Sequence, residues 1–265
     1  MENVLRIISE DLLSNYLRQV PKRLQDNFDA LRDAEISTDA FSFYTSVSSV
    51  FSSKIEGEDI ELDSYIKHKR FGIEFLPNYT KKIDDLYNAY AFAQTHDLNE
   101  MNIVEAHRLL SKHIISRAWQ GKYRIHNMYV STPDGRIEYV AASPFEVRSE
   151  MEKFNSDVSV LLEADMDIES VFFYASWIHL MFVKIHPWND GNGRCARLIE
   201  KWFLAQKLGK KAWFLQSEKM YYRHHQAYYK NLRLLGLEYG ELDYTKTLPF
   251  LLMLPHSLDP DVLES

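Results

Sequence analysis

The stretch that decides the fold is residues 186–197, which read His186-Pro187-Trp188-Asn189-Asp190-Gly191-Asn192-Gly193-Arg194-Cys195-Ala196-Arg197. An apolar segment from Val171 to Val183 precedes it and predicts a buried helix, which must end before Pro187. A second helix is expected over about 192–208, with Gly209 just past its end. The stretch is therefore a short loop between two helices that continues into the first turns of the second one.

The loop has the composition of an anion-binding site. Gly191, Asn192 and Gly193 allow the backbone to turn tightly and to direct N–H groups to the N-terminus of the following helix, where negative charge is favoured. Arg194 and Arg197 are three residues apart and share one face of that helix. Two guanidinium groups beside a helix N-terminus suit a polyphosphate.

Two further side chains can supply chemistry at this loop. Asp190 offers a hard oxygen ligand for Mg²⁺, which proteins usually bind through one or two carboxylates together with substrate phosphates. His186 precedes the loop and can accept a proton near neutral pH. Together with the glycines and arginines, these groups can activate a hydroxyl, hold a metal-bound triphosphate and neutralise developing charge.

The pattern H-x-x-x-[DE]-G-N-G-R-x-x-R is expected by chance in well under about one chain in a million of this length, so it is specific. It resembles the motif of the Fic family, H-x-F-x-[DE]-G-N-G-R-x-x-R, at every charged, Asn and Gly position. Trp188 replaces the usual Phe and keeps an aromatic anchor. The resemblance extends upstream to Gly121-Lys122-Tyr123-Arg124 and downstream to Tyr228-Tyr229, and it covers roughly residues 80–255.

This resemblance implies a Fic-type core, in which helices surround the motif loop and a β-hairpin forms a flap. It also implies an activity, the transfer of AMP from ATP, with Mg²⁺, to a Ser, Thr or Tyr hydroxyl of a protein. A phosphotransferase branch of the family has Lys at the position of Gly193, so Gly193 argues against that branch.

The resemblance also implies a role for each matching residue. His186 would be the base that deprotonates the target hydroxyl, Asp190 would hold Mg²⁺, and Arg197 would hold the γ-phosphate. The other phosphate ligands would be the backbone of Gly191, Asn192 and Gly193, together with Arg194. The flap strand that aligns the target by β-augmentation would be Met128, Tyr129, Val130 and Ser131. Tyr228 and Tyr229 would lie beside the adenine.

Residues 52–57 match a second pattern of the family, the inhibitory-helix motif [ST]-x-x-x-E-[GN], with Ser52, Glu56 and Gly57 at the defined positions. About one chain in five would show this pattern by chance, so its placement carries the inference. It ends a predicted helix over about 38–57, N-terminal to the Fic core. We expect Glu56 to pair with Arg197, which would remove the partner of the γ-phosphate and hold ATP in an unproductive pose.

The rest of the sequence predicts an all-α fold with one β-hairpin. We expect an N-terminal helical region over residues 1–75, a Fic domain over 76–255 and a C-terminal tail over 256–265. Helical patterns also lie near 61–69, 80–95 and 99–116. The remaining expectations are caps at Thr38, Ser143 and Asp167, a helix from Ser217 to about Gly236, and a hairpin turn at Pro133-Asp134-Gly135.

Composition limits the classes of partner. The formal net charge of −7 argues against nonspecific nucleic-acid binding. The single cysteine, Cys195, fits a reducing compartment, and charged residues interrupt any N-terminal signal sequence. We expect a cytoplasmic protein that binds neither nucleic acid nor membranes and acts on a hydroxyl-bearing protein partner. Self-modification and a homodimer are both compatible with the sequence.

Two alternatives to AMP transfer remain at this level. The same site could use another donor, or remove AMP from a target, because the motif supplies a phosphate cradle and a base but does not name the donor. The site could also bind ATP without turnover, as a silent ATP-sensing interaction module held shut by Glu56.

Overall fold

Twelve α-helices, four short 3₁₀ helices and one hairpin form the regular structure of the described residues, 5–38, 41–131 and 137–259, in this computed structural model. The helices are α1 (Leu13–Leu17), α2 (Leu24–Asp29), α3 (Phe43–Ile55), α4 (Leu62–Phe71), α5 (Pro77–Ala93), α6 (Glu100–Leu110), α7 (Val147–Glu163), α8 (Ile168–Ile185), α9 (Asn192–Leu208), α10 (Ser217–Arg223), α11 (His225–Arg233) and α12 (Leu248–Leu251). Strands β1 (Tyr129–Ser131) and β2 (Ile137–Val140) pair antiparallel. The predicted all-α class with one hairpin is confirmed. The expected turn at Pro133-Asp134-Gly135 lies outside the described residues.

Helices α8 and α9 form the centre of the fold and carry the motif loop between them. Asp167 caps α8 as predicted, because its carboxylate accepts the N–H of Ser170 at 2.8 Å. Every residue from Val171 to Ile185 is buried. By length and composition α8 could cross a membrane, but 89% of its residues are buried by the rest of the fold. It is therefore the core helix that the apolar run predicted.

The N-terminal helices pack onto the same core. The ring of Tyr16 lies 5.1 Å from that of Phe173, and the ring of Phe28 lies 6.4 Å from that of Phe172. The buried Asp157 carboxylate of α7 accepts three successive backbone N–H groups, those of Arg6, Ile7 and Ile8. The division at residue 75 stays a prediction, since residues on both sides of it share one hydrophobic cluster.

Helix α3 begins later than predicted and is buried differently. Ser42, not Thr38, caps it by accepting the N–H of Thr45 at 3.2 Å, whereas Thr38 pairs with Phe41 in a short bridge. The sequence predicts an apolar face at steps of three or four residues, formed by Phe41, Tyr44, Val47, Phe51 and Ile55. Of those within the helix, only Val47 is fully buried. The other buried positions include the small polar residues Thr45, Ser46, Ser48, Ser49, Ser52 and Ser53. Short side chains allow the neighbouring helices to approach α3 closely, which the hydrophobic period did not predict.

Three other expected boundaries are wrong. Helix α7 starts at Val147, after a turn in which the backbone carbonyl of Ser143 accepts the N–H groups of Glu146 and Val147. No side-chain hydrogen bond caps it, so the predicted capping box is not seen. Helix α6 ends at Leu110 instead of near 116. The helix expected from Ser217 to Gly236 is broken into α10 and α11 at His224, and no Gly or Pro marks that break.

A buried lysine of α9 gives the first testable prediction. Lys201 donates to Ser48 Oγ and Leu215 O, each at 2.7 Å, and to Glu218 Oε2 at 2.5 Å, with both charged side chains fully buried. We expect Lys201→Met to lower the free energy of unfolding by about 3–5 kcal/mol, because the Glu218 carboxylate would stay buried without its cation. Urea unfolding at pH 7 measures this loss.

The matched control is Lys67→Met, which removes a lysine from a solvent-exposed i,i+4 pair with Asp63. We expect this control to unfold at the midpoint of the wild type. Equal midpoints for the two variants would show that the buried pair does not stabilise the packing of α9.

Candidate active site

The motif loop is held by its own asparagine and by an aromatic stack. Asn192 Oδ1 accepts the N–H of Trp188 at 2.8 Å, and Asn192 Nδ2 donates to the carbonyl of Trp188 at 2.9 Å. The Trp188 ring is fully buried and stacks on His107 at a centroid distance of 4.3 Å. The centroid of the Tyr123 ring lies 5.0 Å from that of Trp188. Trp188 therefore serves as the aromatic anchor beneath the loop.

His107 supports the loop from below, and the sequence analysis missed it. Its Nε2–H donates to the carbonyl of Asp190 at 3.0 Å, and its Nδ1 accepts the N–H of Gly121 at 2.9 Å. Burial lowers the pKa of His107 to about 4, so the ring stays neutral and can donate and accept at once. A Cβ at Gly191 would lie 2.9 Å from Leu110 Cδ1, and φ is +83°, so this loop position requires glycine.

His186 ends α8 in left-handed conformation with φ +54°, which directs the ring out of the helix. Its Nδ1 lies 3.1 Å from the carbonyl of Val183 and 3.2 Å from Tyr139 Oη, while the Tyr139 hydroxyl donates to the same carbonyl at 2.9 Å. Since the hydroxyl hydrogen is used by Val183, Nδ1 carries the ring proton and Nε2 keeps its lone pair. Nε2 is therefore the atom that can accept a proton from a substrate.

The pKa of His186 falls to about 4. Desolvation is the largest cause, and the positive charge of Arg124 adds to it, whereas the bond to Val183 and the charge of Glu56 act in the opposite direction. Arg124 itself holds the end of α8, because its Nε donates to the carbonyl of His186 at 2.7 Å. The imidazole is thus a neutral, fixed base at physiological pH.

Glu56 and Arg197 are in direct contact. Glu56 Oε1 accepts from Arg197 Nη2 at 2.6 Å, and the guanidinium also donates to Ser52 Oγ at 2.8 Å and to the Ser52 carbonyl at 3.0 Å. Arg197 is 1% exposed and the Glu56 side chain 29% exposed. Desolvation raises the pKa of Glu56, but Arg197 and Arg194 together hold it below its ordinary value, so the carboxylate is ionised.

The same carboxylate lies at the N-terminus of α9. An ideal Cβ built on Gly193 would be 2.5 Å from Glu56 Oε1, so the carboxylate fills the space directly above this glycine. The first N–H groups of a helix have no acceptor within the helix, and its N-terminus attracts anions. Glu56 therefore occupies the position at which the sequence predicts a phosphate.

Arg194 contacts a carboxylate that the sequence analysis did not single out. Its Nη2 donates to Glu58 Oε1 at 2.7 Å, and both side chains are almost completely buried. Gly57, with φ +88°, separates Glu56 from Glu58. The N–H groups of Gly57 and Glu58 bond back to Lys54 and Ser53, the two bonds of a Schellman turn. This turn brings both glutamates to the first turns of α9.

Asp190 is exposed at the loop, and its Oδ1 accepts the N–H of Gly191 at 2.6 Å. Among the described residues no group of three His, Cys, Asp or Glu side chains could hold a metal ion. One accessible carboxylate next to the anion site fits an ion such as Mg²⁺ that is bound chiefly by substrate phosphates and water.

Tyr228 and Tyr229 lie on α11 beside the site. The Tyr228 ring is 2% exposed, and its hydroxyl bonds to the buried His179 at 2.9 Å. His179 in turn contacts Glu200 at 2.7 Å, so Tyr228 belongs to a polar network within the core. Tyr229 is only partly buried. The contact of both rings with adenine stays a prediction.

The predicted flap residues lie on the hairpin. Tyr129, Val130 and Ser131 form β1, and the carbonyl of Met128 accepts the N–H of Ala141 just before it. β1 pairs with β2 along one edge, and among the described residues no strand pairs with its other edge. The Tyr129 side chain is 60% exposed. An unpaired edge with this geometry can accept an extended peptide.

The turn at Gly57 yields a second prediction. We expect Gly57→Ala to lower the free energy of unfolding by about 1 kcal/mol, because Ala is strained at positive φ although its Cβ would meet nothing within 4 Å. Thermal unfolding measures the change. Gly240→Ala is the matched control, since its Cβ also meets nothing within 4 Å and its φ is not in the left-handed region. Equal stability of both variants would contradict a strained turn at Gly57.

Comparison with known proteins finds similarity to the Fic/DOC family. The profile of the Fic/DOC family matches residues 97–204. A protein adenylyltransferase Fic from Nematostella vectensis is 34% identical over 98 residues, which is 37% of this chain. The matched region spans only 21% of the length of that relative.

Solved structures show the same fold. A Fic family protein from Desulfovibrio desulfuricans G20 matches with a TM-score of 0.69 at 18% identity, over 98% of this chain and 75% of its own. A Fic domain containing signaling protein from Bacteroides thetaiotaomicron matches with a TM-score of 0.65 at 19% identity, over 96% of this chain and 93% of its own. The chain therefore has the fold of these Fic structures, and its residues 97–204, which include the His186–Arg197 motif, match the Fic/DOC family.

Proposed function

We propose that this protein is a nucleotidyltransferase that moves AMP from ATP to a hydroxyl of a target protein, and that Glu56 inhibits it. The observation that carries the proposal is the 2.6 Å contact between Glu56 and Arg197, beside the neutral base His186 and above Gly193. The likeness to an adenylyltransferase Fic supports the choice of ATP as donor.

The chemical step uses the free nitrogen of His186. Nε2 accepts the proton of the target hydroxyl as that oxygen forms a bond to the α-phosphorus of ATP. The bond between the α-phosphorus and the bridging oxygen breaks, and pyrophosphate leaves with the bonding electrons. Tyr139 and Val183 fix the ring by binding Nδ1, so the lone pair is oriented before the substrate arrives.

The phosphates are expected at the N-terminus of α9 with the two arginines of the loop. Backbone N–H groups near Gly193 and the guanidinium groups of Arg194 and Arg197 supply positive charge without reorganisation. Asp190 is the side chain placed to hold Mg²⁺, which would neutralise phosphate charge when it is bound.

Inhibition follows from competition for Arg197. Its guanidinium already makes three hydrogen bonds, to Ser52 and Glu56, and the Glu56 carboxylate fills the space above Gly193. A phosphate oxygen can take the same position only if the carboxylate leaves it. Because Glu56 is ionised, it presents negatively charged oxygen acceptors to Arg197, as a phosphate would.

The exposed edge of β1 supports a protein as the acceptor. An extended target segment added to this edge would be held by main-chain hydrogen bonds, next to the hairpin whose Tyr139 contacts His186. A segment from another copy of the chain would use the same edge, which is the route we propose for self-modification.

Two other functions remain as candidates. The three hydrogen bonds that Arg197 makes to Ser52 and Glu56 favour an ATP-sensing module, in which the site binds nucleotide without turnover. Another donor, or removal of AMP from a target, would use the same cradle and base.

Activation by removal of Glu56 is the third prediction. Glu56→Gly should raise transfer of labelled AMP by about 10- to 100-fold, the effect of losing one charge-assisted hydrogen bond. His186→Ala placed on Glu56→Gly should abolish it, because the base is gone. Labelling from ATP with Mg²⁺, followed by intact mass, measures both, and a panel of other nucleotide donors at equal concentration tests the donor.

ATP binding without labelling in Glu56→Gly would support the silent sensing module instead. Labelling that is equal in wild type, Glu56→Gly and the double variant would contradict both the base and the inhibitor.

The pH profile is the fourth prediction. Since the pKa of His186 is lowered to about 4, Nε2 stays unprotonated as the pH falls through the usual histidine range. We expect the initial rate of Glu56→Gly to show no acid limb near pH 6.5, and removal of the Glu56 charge lowers the pKa further in the same direction. Initial rates measured from about pH 8 to pH 5 under saturating ATP test this. A rate that falls with a midpoint near pH 6.5, while the protein stays folded, would contradict it.

A further inference from the structure

The second arginine of the site has an unusual set of partners. Arg194 is 4% exposed, yet among the described residues only its Nη2 is bonded, to Glu58. Nε and Nη1 have no hydrogen-bond partner within this part of the chain. Leaving buried guanidinium N–H groups without acceptors costs free energy. We therefore expect a ligand that accepts hydrogen bonds from these two atoms.

These open donors belong to the anion site. The charge of Arg194 is close enough to Glu56 to lower the pKa of that carboxyl. Glu56 in turn lies directly above Gly193. Arg194 directly follows Gly193 in the first turn of α9, so its charge lies near the space that Glu56 fills. Its hydrogen bond goes to Glu58 and not to Glu56.

Glu58 is fixed in a way that Glu56 is not. Its Oε1 is shared between Arg194 at 2.7 Å and Lys82 of α5 at 3.1 Å, and its side chain is 5% exposed. Its backbone N–H bonds to Ser53 at 3.1 Å, within the Schellman turn. The Glu56 side chain, at 29% exposure, can rotate away from Arg197 without disturbing any of these contacts.

We propose that Glu58 is a positioning residue: it holds Arg194 through Nη2 so that Nε and Nη1 are presented to the phosphate chain of the nucleotide. Glu58 and Glu56 thus have opposite effects, although they are two residues apart on one turn. Glu56 competes with the phosphates, whereas Glu58 stays in place when they bind. The assignment rests on the proposed function only for the identity of the ligand.

The experiment measures nucleotide affinity by titration calorimetry with Mg²⁺, in a Glu56→Gly parent. Glu58→Gln and Glu58→Ala are placed on that parent, and Glu61→Ala is the matched control, because Glu61 is an exposed carboxylate of the same segment. The probes are ATP and adenosine. We expect Glu58→Ala to weaken ATP about tenfold, with adenosine unchanged and Glu58→Gln intermediate. The control should match the parent for both probes.

A structural role alone would weaken adenosine and ATP equally, and that result would overturn the assignment, as would unchanged ATP affinity in both Glu58 variants. Glu58→Ala placed on the wild type gives a further readout. Tighter ATP binding there, as expected for Glu56→Gly, would make Glu58 a second inhibitor and also overturn the assignment. If Glu58→Ala does not fold, the nearly isosteric Glu58→Gln carries the test.

The proposed function can be contradicted independently of the role assigned to Glu58. If Glu56→Gly binds ATP but transfers no AMP, the function is contradicted while the effect of Glu58 on ATP and adenosine affinity is still read. If Glu56→Gly binds no ATP, both the function and the assignment are contradicted.

Discussion

The ion pair between Glu56 and Arg197 is the interaction on which the rest of the site depends. It joins the C-terminal end of α3 to the first turns of α9, and it places a carboxylate where the helix N-terminus attracts anions. The arginine is buried and the glutamate partly exposed, so breaking the pair strands the charge of Arg197 unless another anion replaces Glu56. A phosphate is such an anion, and under the proposed function this exchange would connect nucleotide binding to release of the contact.

Helix α3, for which we propose the inhibitory role, is part of the core and not an attachment to it. Along α9, Lys201 bonds to Ser48, Arg197 bonds to Ser52 and Glu56, and Arg194 bonds to Glu58. Detaching α3 and the turn after it would break the ion pairs of both arginines in a buried environment. Lys201 would lose Ser48 but keep Leu215 and Glu218. Rotation of the Glu56 side chain alone breaks one contact. Rotation of the side chain is therefore the motion that costs less, and an incoming anion at Arg197 would offset that cost.

Part of this site could be predicted from the sequence because its signals are local. The residues from His186 to Arg197 are contiguous, and Gly191 must be glycine for reasons of backbone geometry and space. The fold class follows from long stretches with helical periodicity. Asp167 and Gly209 were expected at helix ends, and the structure has the start of α8 and the end of α9 there. The contact between Glu56 and Arg197 was expected from the placement of a short motif, not from the motif itself.

The rest depends on contacts between distant segments. His107 lies on a helix face with Ile103 and Leu110, and nothing in that spacing shows that its ring supports Asp190. Glu58 follows the inhibitory motif by one residue, but only the Schellman turn directs it to Arg194. The burial of the serines of α3 was not predicted, because hydrophobic periodicity considers only apolar residues and cannot detect close packing by small polar ones.

The most direct test of the central claim is a crystal structure of Glu56→Gly with ATP and Mg²⁺. The account predicts a phosphate oxygen within hydrogen-bond distance of Arg197, above Gly193, at the place that the Glu56 carboxylate occupies here. Phosphates bound elsewhere, with the space above Gly193 left to solvent, would contradict it.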